Sequence, residues 1–322
     1  MEIKKVVVAG GGILGSQIAF QTAYCGFNVT ILIRPEDSKE DLEKKLNVLK
    51  ETYIECINDM DKNGESSTNW ARGIVGTNPF NKKESLDKVN STLERITIDT
   101  DQAVSCKDCD LFIESITEKF EFKVSLYKSI SPLLKEDTII VTNSSTLLPS
   151  KLAKHTGRPA KYLAMHFANS IWKNNISEIM KQSETSEESF NEIINFANQI
   201  NMVALPVKQE KSGYLLNSLL VPFLLCAMDL LANDISDPET IDKAWTLGTG
   251  APKGPFQILD TVGLETAKNI LEQYQKVPNL FDPLLKKMML PYNFDGALKI
   301  INEYIEKGKK GKSTGEGFYK YN

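Results

Sequence analysis

The chain is predicted to fold as an α/β protein: a doubly wound, mainly parallel sheet followed by an all-helical domain. Three observations carry that expectation. A short apolar run is followed at once by a glycine loop and a helical pattern. Apolar runs of strand length then alternate with amphipathic stretches as far as Val207. Beyond that point only helical periodicity remains.

Taken in order, Lys4 to Ala9 reads as a buried parallel strand. Gly10-Gly-Gly-Ile-Leu-Gly15 follows it, then a helix over Ser16 to Tyr24 and a second strand, Asn28 to Ile33. Residues 38–90 are polar, with apolar positions at helical spacing (Leu42, Leu46, Leu49, Tyr53), which predicts a helical hairpin inserted after the second strand. Gly64 to Asn69 and Thr77-Asn-Pro79 punctuate it. Strands are then expected at Arg95–Ile98, Asp110–Glu114 and Asp137–Thr142, with an amphipathic helix over Phe120–Leu134. Two more apolar runs, Tyr162–Met165 and Ile176–Met180, precede a helix over 187–200 and a strand, Met202–Val207. The boundary is placed between residues 1–207 and 208–322. Helices are expected over Tyr214–Ala232, Asp237–Leu247, Leu264–Tyr274 and Phe294–Lys307. The Gly/Pro cluster at 250–255 reads as a break between them.

A strand, a G-x-G-x-x-G loop and a helix in immediate succession form the Rossmann dinucleotide-binding fingerprint. Gly10 permits the tight turn, Gly12 lets backbone approach a diphosphate, and Gly15 lets the helix pack on the strand. Ile13 and Leu14 open that helix, whose free N–H groups and positive dipole end suit an anion. An acid usually ends the second strand and binds the ribose 2′-hydroxyl. Ile33 stands there instead, followed by Arg34, with Glu36 and Asp37 a little further on. An arginine without the acid can neutralise a 2′-phosphate, or simply be solvated, so NAD and NADP both stay open on this reading.

Composition narrows the class. A net charge of -4 gives no electrostatic case for nucleic acid. Five irregularly spaced cysteines and no room for a signal peptide before Lys4 suggest reduced thiols and a cytoplasmic location. Cys106-Lys-Asp-Cys109 has metal or redox spacing, yet no second pair or nearby histidine joins it, so a structural role is expected and no metal. Tyr214–Ala232 is long enough to span a bilayer but carries Asn217, Pro222 and Asp229. A charge there costs on the order of 3 kcal/mol, so a helix buried in a domain core or a subunit interface is the better reading.

The chain contains only two histidines. His166 ends the apolar run Tyr162–Met165, at the end of a strand where an open α/β sheet exposes its ligands. Oxidising a secondary alcohol requires a base for the hydroxyl proton and a nicotinamide to take the hydride. An imidazole suits the base. Glu178 can hold the ring, Ser145 can hydrogen-bond a substrate oxygen, and Asn217 is a polar residue in an apolar helix that needs a partner. Taken singly, each has a plainer explanation: a satisfied core histidine, a surface carboxylate, a helix–helix hydrogen bond.

Taken together, the pieces resemble the short-chain L-3-hydroxyacyl-CoA dehydrogenases, including the 3-hydroxybutyryl-CoA dehydrogenases, over nearly the whole chain. The matching stretches are Val8–Gly15, Phe112–Ser115, Asn143–Ser145, His166–Asn169, Glu178, Leu216–Pro222, Gly254–Asp260, Val262–Leu264 and Thr314–Tyr319. The resemblance implies His166 as base, Glu178 as its partner, and Ser145 and Asn217 at the substrate, with Ser145 also near the nicotinamide. It implies cofactor contacts from Glu118, Lys123 and Asn169, and a homodimer formed by the C-terminal helices. This chain departs from the family in four places. Ala168 and Ser170 stand where the family's His-Phe-Phe-Asn-Pro has its second Phe and its Pro. Ile171–Asn175 is more polar than the family's run. The acid near Ile33 is missing, and Ser313, beside Lys312, replaces a lysine before the final Thr-Gly.

The expected activity is therefore reversible NAD(P)-dependent oxidation of a short L-3-hydroxyacyl-CoA, a small-molecule substrate, with no nucleic-acid or membrane partner. Two alternatives remain: a dehydrogenase of a free 3-hydroxy acid of sugar-acid or carnitine type, and a non-catalytic nucleotide-binding protein.

Overall fold

The computed structural model describes residues 2–275 and 292–321. The chain divides into two compact units, Met1–Leu215 and Leu216–Asn322. The division falls later than the 207/208 boundary expected from sequence, because the intervening segment stays bound to the first unit. Gly213 N–H donates to Ser145 O, and Leu215 N–H to the Glu178 carboxylate.

The first unit is built on an eight-stranded sheet in the order β3-β2-β1-β4-β5-β6-β7-β8. Its strands are β1 Lys5–Ala9, β2 Asn28–Leu32, β3 Ile96–Asp99, β4 Leu111–Glu114, β5 Ile139–Thr142, β6 Tyr162–Phe167, β7 Ile176–Lys181 and β8 Val203–Val207. β1 to β6 are parallel and reproduce the doubly wound order 3-2-1-4-5-6. β7 turns back antiparallel to β6, and β8 runs parallel to β7. Val6, Val7 and Val8 are fully buried on both faces of the central strand, each contributing about 1.5–3 kcal/mol of burial.

Helices α1 Ile13–Tyr24, α2 Lys39–Asn63, α3 Arg72–Val75 and α4 Lys82–Thr92 follow in order, the last three forming the insertion between β2 and β3. α2 starts at Ser38, whose side chain accepts from Asp41 N–H, and ends at Gly64, whose φ of +58° suits glycine. Its buried stripe includes Leu42, Leu46, Leu49 and Tyr53, the positions its periodicity predicted. Gln21 of α1 ties the insertion to the sheet: its amide donates to Gly73 O and Ile200 O and accepts from the Tyr53 hydroxyl. The polar-looking segment after His166 is anchored there too. Ile171 and Trp172 are buried, and Gly73 N–H donates to Trp172 O. Three short helices escaped the sequence reading, α3 within the insertion, α5 Gln102–Cys106 and α7 Pro149–Ala153; α6 Phe120–Ile130 and α8 Glu187–Gln199 lie where helices were expected.

The second unit contains α9 Leu216–Ala232, α10 Pro238–Thr249, α11 Pro255–Val262, α12 Leu264–Gln275 and a last described helix, Phe294–Glu306. The Gly/Pro cluster does break the helical pattern, ending α10 at Gly250 with φ of +74°, and it also starts α11, which the sequence reading lacked, with Gly254 as its N-cap and Pro255 in its first turn. Two buried aspartates explain the glycine-rich motifs here. Asp242 accepts from Phe256 N–H, Gln257 N–H and the Tyr319 hydroxyl. Asp260 accepts from Phe318 N–H, Tyr319 N–H and the Tyr321 hydroxyl. A Cβ on Gly254 or Gly317 would collide with those carboxylates. Among the described residues no helix is long and apolar enough to cross a membrane.

Candidate active site

β5 and β6 run parallel, so the turn after Thr142 and the end of β6 emerge at one edge of the sheet. Ser145 belongs to that turn and His166 is the penultimate residue of β6. On antiparallel β7, Glu178 is registered directly opposite His166. Such partners hold their Cβ atoms about 5 Å apart, so sheet register alone brings imidazole and carboxylate together. His166 Nδ1 lies 3.0 Å from Glu178 Oε2, and Ser145 Oγ lies 3.1 Å from His166 Nε2. An ionised carboxylate only accepts, so Nδ1–H donates to Glu178; in the neutral imidazole this leaves Nε2 as the acceptor, to which the Ser145 hydroxyl donates. Both members of the pair are buried, His166 at 5% and Glu178 at 1% exposure. The other Glu178 oxygen accepts from Leu215 N–H at 2.8 Å. One face of the imidazole stacks on Tyr214, with ring centroids 4.6 Å apart and planes 14° from parallel.

A second polar cluster lies under the same turn. The buried Glu114 carboxylate, at the end of β4, accepts from Lys123 Nζ (2.6 Å), Ile116 N–H (2.9 Å), the Tyr127 hydroxyl (2.9 Å) and the Thr142 hydroxyl (2.7 Å). Lys123 is 1% exposed and also pairs with Glu118 at 3.3 Å. Glu118 in turn accepts from the hydroxyls of Ser144 and Thr146 and from Thr146 N–H. Burial would raise the Glu118 carboxyl, but the Ser144 hydrogen bond, the Lys123 charge and the Thr146 bonds outweigh it and hold it below its ordinary value. Glu118 and Lys123 are thus brought together, with only Glu118 partly exposed. Glu114 received no role from the sequence; an acid ending the strand next to the glycine-loop strand was the available signal.

A cleft of about 660 Å³ opens along the C-terminal ends of β1, β2 and β4. Of the predicted cofactor residues, Gly10, Gly12, Ile33 and Arg34 line it. Asp37, Lys45 and Gln102 line it too and were missed. A Cβ on Gly10, where φ is +113°, would strike Ser115 O, and one on Gly15 would strike Gly10 O. A Cβ on Gly12 would meet no protein atom within 4 Å, so the loop leaves open space where a diphosphate would sit. The glycine cradle and the cleft therefore fit a dinucleotide. Arg34 is held by Asp37 (Nη2 to Oδ1, 2.6 Å) and Glu36 (3.1 Å). Asn169 is exposed beyond β6, its carbonyl accepting from the Asn174 side chain. Asn217 stands in the first turn of α9, in the second unit. Cys106 and Cys109 are free and buried; burial pushes Cys106 up to about 11 and Cys109 higher still, which suits a structural role.

A doubly wound sheet with this cradle, carrying an imidazole–carboxylate pair at its edge, defines a dinucleotide-binding oxidoreductase. The sequence profile of the 3-hydroxyacyl-CoA dehydrogenase NAD binding domain matches residues 5–210, and that of the 3-hydroxyacyl-CoA dehydrogenase C-terminal domain matches residues 213–321. The chain belongs to the 3-hydroxyacyl-CoA dehydrogenase family, and its first domain is that family's NAD-binding domain. It is 31% identical to the mitochondrial hydroxyacyl-coenzyme A dehydrogenase of Sus scrofa, covering 99% of this chain and 91% of the relative. It is 28% identical to the 3-hydroxybutyryl-CoA dehydrogenase of Clostridioides difficile, covering 99% of each chain. A solved diketoreductase, described for substrate-directed dual catalysis of dicarbonyl compounds, is 41% identical with a TM-score of 0.77, covering 100% of both chains.

Proposed function

We propose that this protein oxidises a short-chain L-3-hydroxyacyl-CoA reversibly to the 3-oxoacyl-CoA, with His166 as the base. The observation that carries the reading is the cross-strand His166–Glu178 pair, with Ser145 on the other ring nitrogen. Bound NAD supplies the hydride acceptor. His166 Nε2 takes the proton of the substrate hydroxyl. The resulting imidazolium is stabilised by Glu178, which is already hydrogen-bonded to Nδ1. The Ser145 hydroxyl shifts its hydrogen bond to the substrate oxygen. In the reverse direction Nε2–H returns the proton to the carbonyl oxygen. Base catalysis of this kind contributes about 10²–10⁴-fold, and positioning supplies much of the remainder.

In this reading Gly10, Gly12 and the opening of α1 at Ile13 and Leu14 would hold the diphosphate, while Gly15 lets α1 pack closely enough to present them. Ile33 and Arg34 flank the adenosine end, while Ser145, Glu118 and Asn169 serve the nicotinamide end. Lys123 acts by fixing Glu118; a substrate role for Asn217 is proposed from the family resemblance alone. The acyl-CoA assignment is supported by the activities named for the porcine and clostridial relatives. A homodimer through the second unit is proposed from the family resemblance and from exposed apolar side chains there, Leu219 at 75% and Leu247 at 83%.

One observation favours a second reading, reduction of a dicarbonyl compound without CoA: the 41% identity to the diketoreductase. The test is NADH oxidation with acetoacetyl-CoA beside acetoacetate and a 3,5-dioxo ester. Higher kcat/KM on acetoacetyl-CoA is expected. Turnover of the CoA-free compounds alone would reject the acyl-CoA assignment.

A further inference from the structure

We propose that Tyr214 is a positioning residue for the base, locking the plane of the His166 ring. The inference rests on the reading of His166 as the base. The two ring-nitrogen hydrogen bonds, to Glu178 and Ser145, lie in the imidazole plane and restrain it within that plane. Rotation of the ring about Cβ–Cγ is opposed only by the bending of these two hydrogen bonds, which is soft. The parallel Tyr214 ring, 4.6 Å away by centroids, closes that remaining freedom by covering one face.

Three further observations indicate that Tyr214 is itself held for this purpose. Its hydroxyl donates to Ser144 O at 2.8 Å, in the turn that carries Ser145. Its ring is 1% exposed. Its backbone has φ of +51°, a left-handed conformation that a bulky aromatic residue adopts only when surrounding contacts over-determine it. Its neighbours bind the same group of residues: Gly213 N–H donates to Ser145 O at 3.2 Å, and Leu215 N–H to Glu178 Oε1 at 2.8 Å. Gly213-Tyr214-Leu215 therefore touches the serine, the imidazole and the carboxylate in succession. A glycine at 214 would relieve the backbone and an aliphatic residue would fill the space; neither would present a flat face to the imidazole.

The test compares Tyr214→Met, which fills the pocket without a plane, with Tyr214→Phe, which keeps the plane, and with His166→Gln as control. Tyr214→Met is expected to lower kcat by about tenfold or more, as misplaced catalytic groups do, with the NADH Kd near that of the wild type. Tyr214→Phe is expected to restore most of kcat. Because the chain holds only two histidines, imidazole NMR gives a direct second readout with His155 as internal reference. Ring protons of His166 are expected upfield-shifted in the wild type and in Tyr214→Phe, and unshifted in Tyr214→Met. Wild-type kcat in Tyr214→Met, a Phe variant as impaired as the Met variant, or no upfield shift in the wild type overturns the proposal. The first of these results with an inactive His166→Gln leaves the base assignment standing. A fully active His166→Gln removes that assignment and this inference with it.

Discussion

The missing acid at the end of β2 sets the question of cofactor choice at the scale of single residues. Asp37 fills the gap in a different way. It accepts from Arg34 through backbone N–H, Nε and Nη2, and it lines the cleft with Arg34 and Lys45. The hydrogen bond from Arg34 holds the Asp37 carboxyl below its usual range, and Asp37 keeps Arg34 raised in return. In the proposed placement of the cofactor, a 2′-phosphate would meet a guanidinium already paired with two carboxylates, in keeping with an NAD-binding domain. Asp37→Asn is expected to raise the NADPH-to-NADH ratio of kcat/KM by about fivefold, the worth of one exposed charge pair. Paired initial rates with the two cofactors check it; an unchanged ratio would remove Asp37 from cofactor choice. Ser170 shows where residue-level reading falls short. Its replacement of the family's proline looks like a change of polarity, yet its φ is +58°. Proline is fixed near -65°, so the turn after His166 takes a path that a proline cannot follow. No letter in the sequence announces a left-handed serine.

At the level of elements, the turn between β5 and α7 is joined to the approach to α6 by Glu118. Its folded carboxyl is held below its unfolded value, so the linked stability is fully present above pH about 4.5 and is lost as pH falls through the folded value. Glu118→Gln is therefore expected to flatten the acid side of the stability–pH curve, measured by chemical denaturation from about pH 6 down to about pH 3. An identical acid slope in the two proteins would contradict the Glu118 network. Most elements were legible because burial on both faces writes continuous apolar runs, as at Val6–Val8, and because α2 repeats its apolar positions at helical spacing. α11 was not, since Pro255 and Gly254 were read as breakers when a proline in the first turn and a glycine N-cap start a helix as well. The direction of β7 was not legible either. Apolar runs carry no sign of orientation, and only pairing with β6 makes Glu178 the cross-strand neighbour of His166.

For the molecule as a whole, the succession of strands and helices along the chain, the helical insertion and the helical second unit could be read in the sequence, because each has its own periodicity. The second unit's motifs had a family likeness but no evident chemistry in the sequence. The glycines and aromatic residues of two of them, Gly254–Asp260 and Thr314–Tyr319, pack around buried Asp242 and Asp260 and hold that unit together. What joins the fold to the proposed activity is the convergence of distant segments in the first unit, Ser145, His166, Glu178 and Tyr214, at one sheet edge. The most direct test of that convergence is the initial rate of NADH oxidation with acetoacetyl-CoA by His166→Gln, with the NADH Kd measured by fluorescence on the same samples. The account predicts a rate lower by about 10²–10⁴-fold and a nearly unchanged Kd. A retained rate, or a rate lost together with NADH binding, would contradict it.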